Sequence, residues 1–258
     1  IQALPVTGRP GQLSSLIRYL GWKHLHGGGL SVSERQAILQ AARRTDEDVE
    51  HSLASVAGSH FYNDQPLGIE VLRQLIPTGE RAANQILRTL ARLADRPDRI
   101  VTATDVAQCL TNVGVHSFPE ASWDERCLGI IARWFPKQVY EHVRGLHELE
   151  ERDPGSWHPV GLGQTPSLGP FEDQDYLDHE ICRLWEKALS ADPQTSGQMY
   201  PLALIRSLLW SEGEKASARI LKWVEISETA EELQLVAKVA TSQGSRFVIE
   251  YPLSLIHI

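Results

Sequence analysis

Gln12-Leu13-Ser14-Ser15-Leu16-Ile17-Arg18-Tyr19-Leu20-Gly21-Trp22-Lys23-His24-Leu25-His26, closed by Gly27-Gly28-Gly29, sets the pattern that the rest of the chain repeats. Leu13, Leu16, Ile17 and Leu20 fall three and four residues apart, the spacing that lines one face of an α-helix, and the glycines stop it. Segments of the same kind, about a dozen on helix-length spacing, follow one another to Gln243 with short Pro, Gly or Ser breaks between them. The reading is an all-α chain, an α-solenoid of stacked helical hairpins.

Capping chemistry marks many of the breaks. Ser31 or Ser33 caps a second helix with Glu34 in its first turn, and Thr45 with Asp46, Glu47 and Asp48 opens a third. Pro66 stands in the first turn of a helix that Pro77 ends, and the next helix, to Ala94, places Ala83, Ile86, Leu87, Leu90 and Leu93 on one stripe. A short helix runs from Asp105 to Val113. Ser122-Trp123-Asp124-Glu125 fits a capping box, Pro136 opens the partner helix, and Thr229-Ala230-Glu231-Glu232 is a second box. Three joints, Ile69 to Pro77, Leu128 to Pro136 and Leu202 to Glu212, each turn an apolar helix into an amphipathic one. Their separations suit repeats of about 35 to 45 residues, the HEAT and armadillo range. No hairpin of this kind buries its apolar stripe alone, so neighbours must stack.

The chain therefore divides into an irregular lead (1–11), helical repeats (12–151), a Pro/Gly-rich loop (152–173), further repeats (174–251) and a tail (252–258). The loop carries Pro154, Gly155, Pro159, Gly161, Gly163, Pro166, Gly169 and Pro170 in place of any apolar period. Loops of that length in a folded domain are functional or mobile. The chain opens at Ile1, and its one Met is Met199. Pro252 to Ile258 resembles a translated sequencing-adapter tail. The expectation is a fragment of a larger bacterial protein of the metagenomic kind, with the last residues non-native. A buried strand from Phe247 to Tyr251 running into Leu253 to Ile256 is the alternative.

Composition narrows the function classes. An apolar fraction of 42% suffices for a core, and no apolar run reaches the roughly 20 residues that cross a bilayer. The formal charge is −8, with 12 basic and 10 acidic residues before position 101 and 13 and 23 after it. Such a balance argues against a general nucleic-acid or acidic-membrane binder. Cys109, Cys127 and Cys182, odd in number and far apart, argue against a disulfide framework; buried thiols in a reducing cytoplasm are expected.

The stretch Trp134-Phe135-Pro136-Lys137-Gln138-Val139-Tyr140, running through Leu149-Glu150-Glu151-Arg152 and the Pro/Gly loop to Leu184-Trp185, resembles helical-repeat regions of large bacterial proteins, many of them STAND-class signalling NTPases. The resemblance spans residues 122 to 226. It implies an arm that recognises a ligand or partner while a separate upstream ATPase drives assembly. Gly27-Gly28-Gly29 lacks the Lys of a phosphate loop, so no catalytic residue carries over.

No catalytic or metal constellation emerges. His24 and His26 point some 200° apart on a helix, and His147-Glu148 is followed by Glu151 where a zincin has His. His179 and Cys182 share a face but lack two further ligands. The expectation is a non-enzymatic protein-interaction or ligand-sensing scaffold without cofactor or metal, its partner a protein or peptide. Trp157 and His158 in the long loop, with Phe171 at its far end, form one candidate binding edge, an aromatic anchor if exposed. Arg88, Arg92, Arg96 and Arg99 form a second. A basic stripe suits phosphate, which would make nucleic acid a further partner class, although no aromatics interleave and a solvated helix face is the stronger reading.

Overall fold

The computed structural model describes residues 9–44, 46–61, 64–76, 83–113, 121–152, 167–191 and 199–242. Over these residues the chain is all α. The helices are α1 (Pro10–Leu25), α2 (Val32–Ala41), α3 (Glu47–Ser59), α4 (Gln65–Leu75), α5 (Ala83–Ala94), α6 (Ala103–Val113), α7 (Ala121–Trp134), α8 (Pro136–Arg152), α9 (Gln174–Ser190), α10 (Met199–Glu212), α11 (Glu214–Ile226) and α12 (Ala230–Ser242), with no strand among the described residues. The chain forms two compact units, Ile1–His142 and Val143–Ile258, and the boundary falls inside α8. The lead before residue 9, most of the long loop, the tail and the alternative strand lie outside the described residues.

Local chemistry accounts for the ends. α1 starts on Pro10 and closes where Gly27 adopts φ 80°, its N–H reaching His24 O while Gly28 N–H reaches Lys23 O. That is a Schellman close, and its left-handed residue favours glycine. Ser31 caps α2 reciprocally with Glu34, whose carboxylate also takes Lys23 of α1 at 2.8 Å. Asp64 caps α4 and pairs with Arg35 of α2. Thr102 and Asp105 box the start of α6, and Thr229 with Glu232 boxes α12. α7 begins at Ala121, so the backbone of Ser122 lies within its first turn. Cys182 is a correction. Cys109 and Cys127 are buried, but Cys182 is exposed, one residue past the buried Ile181 and so turned off the apolar face of α9.

In the first unit α1 packs on α3, α3 on α5 and α5 on α7, while α2 packs on α4. The hydrogen bonds that cross between hairpins span 29 residues for Arg35 to Asp64 up to 39 for Trp134 to Asp95. Ser14 and Ser52 hydroxyls meet at 38 residues' separation, Thr89 Oγ1 donates to Ala54 O at 35, Gln65 to Asp98 O at 33, and Arg73 to Asp105 at 32. The second unit spans a similar range: Lys187 donates to Glu151 across 36 residues, Arg206 to Lys238 O across 32 and Arg219 to Asp178 across 41.

Glycine lets the row close up. A Cβ on Gly21 would stand 2.6 Å from Val56 Cγ1, and one on Gly58 would stand 2.8 Å from Thr89 Oγ1 and 3.1 Å from Thr89 Cα. The helices therefore approach nearer than any side chain would allow.

One segment recurs in three helices: Leu16-Ile17-Arg18-Tyr19-Leu20 in α1, Ile86-Leu87-Arg88-Thr89-Leu90 in α5 and Leu204-Ile205-Arg206-Ser207-Leu208 in α10. Its second and fifth residues are core in every copy, each stabilising by about 1.5–3 kcal/mol on burial. Its arginine reaches a helix farther on. Arg18 donates to Ser52 Oγ of α3 at 3.3 Å, and Arg206 to Lys238 O of α12 at 3.0 Å.

Candidate functional site

In the second unit α8, α9 and α10 leave a shallow surface notch with room for about one water molecule. α8 reaches it because Arg144, His147, Glu148 and Glu151 recur at three, four and seven residues and so share one face. Arg183, Leu184 and Lys187 do the same on α9, and Tyr200, Pro201 and Leu204 close the third side from the start of α10.

Charge in the notch is alternated and paired. Buried Glu180 accepts from Arg144 at 3.0 Å and from Arg183 at 3.0 and 3.2 Å. Two guanidinium groups thus offset the cost of burying that carboxylate. Glu148 lies 3.7 Å from Arg144 and 3.9 Å from Arg183, and Lys187 bonds Glu151. The side chains of Glu148, Arg183 and Lys187 remain 43%, 36% and 39% exposed, so the rim offers both signs of charge to solvent.

His147 forms the floor. It is buried, its ring centroid is 4.9 Å from that of Tyr200, and burial pushes its pKa down to about 4. The imidazole is therefore neutral at pH 7. Burial holds His142, a turn and a half back along α8, down to about 4 as well. Among the described residues no Ser, Thr or Cys lines the notch. Among the described residues no group of three His, Cys, Asp or Glu side chains is placed to hold a metal ion.

The residues singled out from sequence are placed as follows. Trp157 and His158 lie outside the described residues. Phe171 is buried and stacks on Tyr176, centroids 6.2 Å apart and planes 14° from parallel, so its ring faces the protein. Arg88 and Arg92 lie on α5, the first half-buried and the second exposed. Arg96 forks onto Asp98 at 3.0 and 3.3 Å. Arg99 lies 3.7 Å over the ring of Trp134, which itself donates to Asp95, and bonds Arg96 O. The structure thus brings Arg96 and Arg99 together and commits both to partners within the first unit. Sequence reading missed the notch, though the spacing Arg144, His147, Glu148, Glu151 was there to be seen as a charged face beside the buried one.

Compared with known protein families, curated proteins and solved structures, the chain matches none. No helix among the described residues is long and apolar enough to cross a membrane.

Proposed function

We propose that the chain is a non-enzymatic interaction scaffold, a stack of helical hairpins of the HEAT or armadillo kind, whose α8–α9–α10 notch receives a charged segment of a protein or peptide partner. The observation that carries this reading is the recurring five-residue segment of α1, α5 and α10 together with hydrogen bonds that join hairpins 32 to 38 residues apart. A unit that repeats in sequence and contacts its neighbour at a similar spacing is what a helical array requires, and arrays of this kind serve to hold partners. The notch supports the choice of surface. Its rim presents Glu148, Arg183 and Lys187 to solvent beside Tyr200, and its floor is a neutral histidine.

A sensor arm beside a STAND-class NTPase is the second reading. It is favoured by the Trp134-Phe135-Pro136 joint, where α7 turns into α8 within one residue. The same notch would then be the sensing surface, with nucleotide chemistry supplied by another module. A nucleic-acid role through the arginine stripe has less support, since Arg96 is paired with Asp98 and Arg99 stacks on Trp134.

Selection of random displayed peptides on the wild-type chain and on Arg183→Glu/Lys187→Glu tests the proposal. A charge-patterned consensus enriched on the wild type and lost on the variant supports it. A consensus indifferent to the variant, or none at all, rejects the notch as the binding surface.

A further inference from the structure

The fourth position of the recurring segment differs between its copies. Thr89 in α5 is 1% exposed and Ser207 in α10 is 7% exposed, whereas Tyr19 in α1 is 56% exposed. In α5 the cover is identifiable. α3 lies across Thr89, accepts its hydroxyl at Ala54 O (2.6 Å), and brings Gly58 so near that a Cβ there would meet Thr89 Cβ at 3.2 Å. In α1 the same place carries a large aromatic side chain facing solvent, with Ser15 one turn before it and Trp22, 55% exposed and packed on His26 at 4.6 Å, beside it.

A second correspondence agrees. Ser15-Leu16 and Gly21 in α1 match Ser52-Leu53 and Gly58 in α3, and both glycines pack against the next helix of the row, Val56 and Thr89 respectively. Under that match Ser15 and Tyr19 stand where Ser52 and Val56 stand in α3. Those two are buried by α1: Ser52 bonds Ser14, and Val56 meets Gly21. Two independent registers thus put Tyr19 on the side of its helix that the row covers elsewhere.

We infer that the Ser15–Tyr19–Trp22 face of α1 is a docking site for one further amphipathic helix, which presents a glycine or alanine to Tyr19 as α3 presents Gly58 to Thr89. This rests on the stacked-hairpin reading proposed above. The face continues the α1, α3, α5, α7 row, and the row fixes what fits it: a helix with a small residue at the crossing, since the bulky partner is supplied by α1. A second copy of the chain does not meet that need through the glycines that serve the row, because Gly21 and Gly58 are already packed within their own copy.

The probe is a fluorescein-labelled peptide of residues 47–59, the helix that performs this contact on α5, stapled between the positions of Ser52 and Val56, away from Gly58. A staple is needed because free helices of this length are marginal in water. Fluorescence anisotropy with the full chain should show saturable binding. It should weaken by about tenfold or more for Tyr19→Asp and Tyr19→Ala in the protein, and for Gly58→Leu in the peptide, as for a buried aromatic anchor. Both protein variants should keep the wild-type melting midpoint, since Tyr19 is exposed. No saturable binding, or binding indifferent to Tyr19 and to the peptide glycine, overturns the inference. So does concentration-dependent dimerisation of the wild type that Tyr19→Asp abolishes, which would make a second copy the occupant. The peptide selection at the α8–α9–α10 notch is unaffected by any of these results, so failure here leaves the scaffold reading to its own test.

Discussion

The guanidinium of Arg206 on α10 donates to the backbone carbonyl of Lys238 on α12, 32 residues later, in the manner of Arg18 on α1, which reaches Ser52 on α3 34 residues later. Each arginine occupies the third position of the same five-residue segment, and each crosses to the next helix but one. Side chains in two separate units thus make comparable contacts, 32 and 34 residues apart. The consequences below follow from those contacts and from the charges that accompany them.

Gly58→Ala sets two effects of opposite sign against each other. Removing a helical glycine favours folding by about 0.8–1 kcal/mol. The new methyl, however, would stand 3.1 Å from Thr89 Cα, a backbone atom that has no rotamer by which to withdraw. Overpacking of that kind costs about 1–3 kcal/mol, so a net loss of about 1 kcal/mol is expected in a urea melt. A gain in stability would show that α3 and α5 are not in such close contact.

Asp105 holds two elements at once. It is 4% exposed, takes both forks of Arg73 from α4 at 2.7 and 2.9 Å, and accepts from the Thr102 backbone and hydroxyl at the start of α6. Although burial pushes its carboxyl up, those hydrogen bonds prevail and hold it below the ordinary value. Asp105→Ala should cost about 2 kcal/mol, mostly from the lost cap, since Arg73 is partly exposed and can turn to water. Arg73→Ala should cost less than Asp105→Ala. The reverse order, read from denaturant midpoints, would place the stabilisation in the ion pair instead of the cap.

His147 makes the second unit sensitive to acid. Its folded pKa is lowered by burial from 6.5 to about 4, so below pH 6.5 the unfolded chain binds the proton first. Stability is therefore undiminished by this group above pH 6.5, falls as pH drops towards 4, and is level below that. Between pH 7 and pH 5 one such histidine removes about 2 kcal/mol. Glu34, held down to about 2 first by its bond from Lys23, acts only below pH 4.5 and does not intrude on that window. His147→Gln should flatten the slope between pH 7 and pH 5, with His142 and His60, both lowered by burial, supplying the remainder. An unchanged slope would mean that His147 is hydrated.

Helix extents were readable from short-range chemistry, because a cap or a proline acts on its own first turn. Ser31 with Glu34, Thr229 with Glu232, Pro66 and Pro136 all perform the parts their spacing implies. What failed depended on distance. Phe171 looks like a loop aromatic until Tyr176 is found under it, and Cys182 looks buried until the exact turn of α9 is known. The glycines at 21 and 58 look like weak points in good helices, and only the pairing with Val56 and Thr89 gives them a purpose. The arginine segment was legible all along. A search for repeated joints passes over it, because it lies in helix interiors. The notch was hidden for another reason: its charges come from α8 and α9, on either side of the long loop, and no local pattern shows that Arg144 and Arg183 share Glu180.

The stacking of neighbouring hairpins is most directly tested by a cross-link at its first contact. Ser14 and Ser52 bring their hydroxyl oxygens to 2.5 Å, close enough for the cysteines of Ser14→Cys/Ser52→Cys to bond once oxidised in a chain that also carries Cys182→Ser. Mild oxidation followed by thiol counting and peptide mapping should find one intramolecular disulfide joining positions 14 and 52, in a monomer with wild-type helicity. Four free thiols, with Cys109 and Cys127 counted among them, or disulfides formed only between molecules, would contradict the packing of α1 on α3 and with it the array.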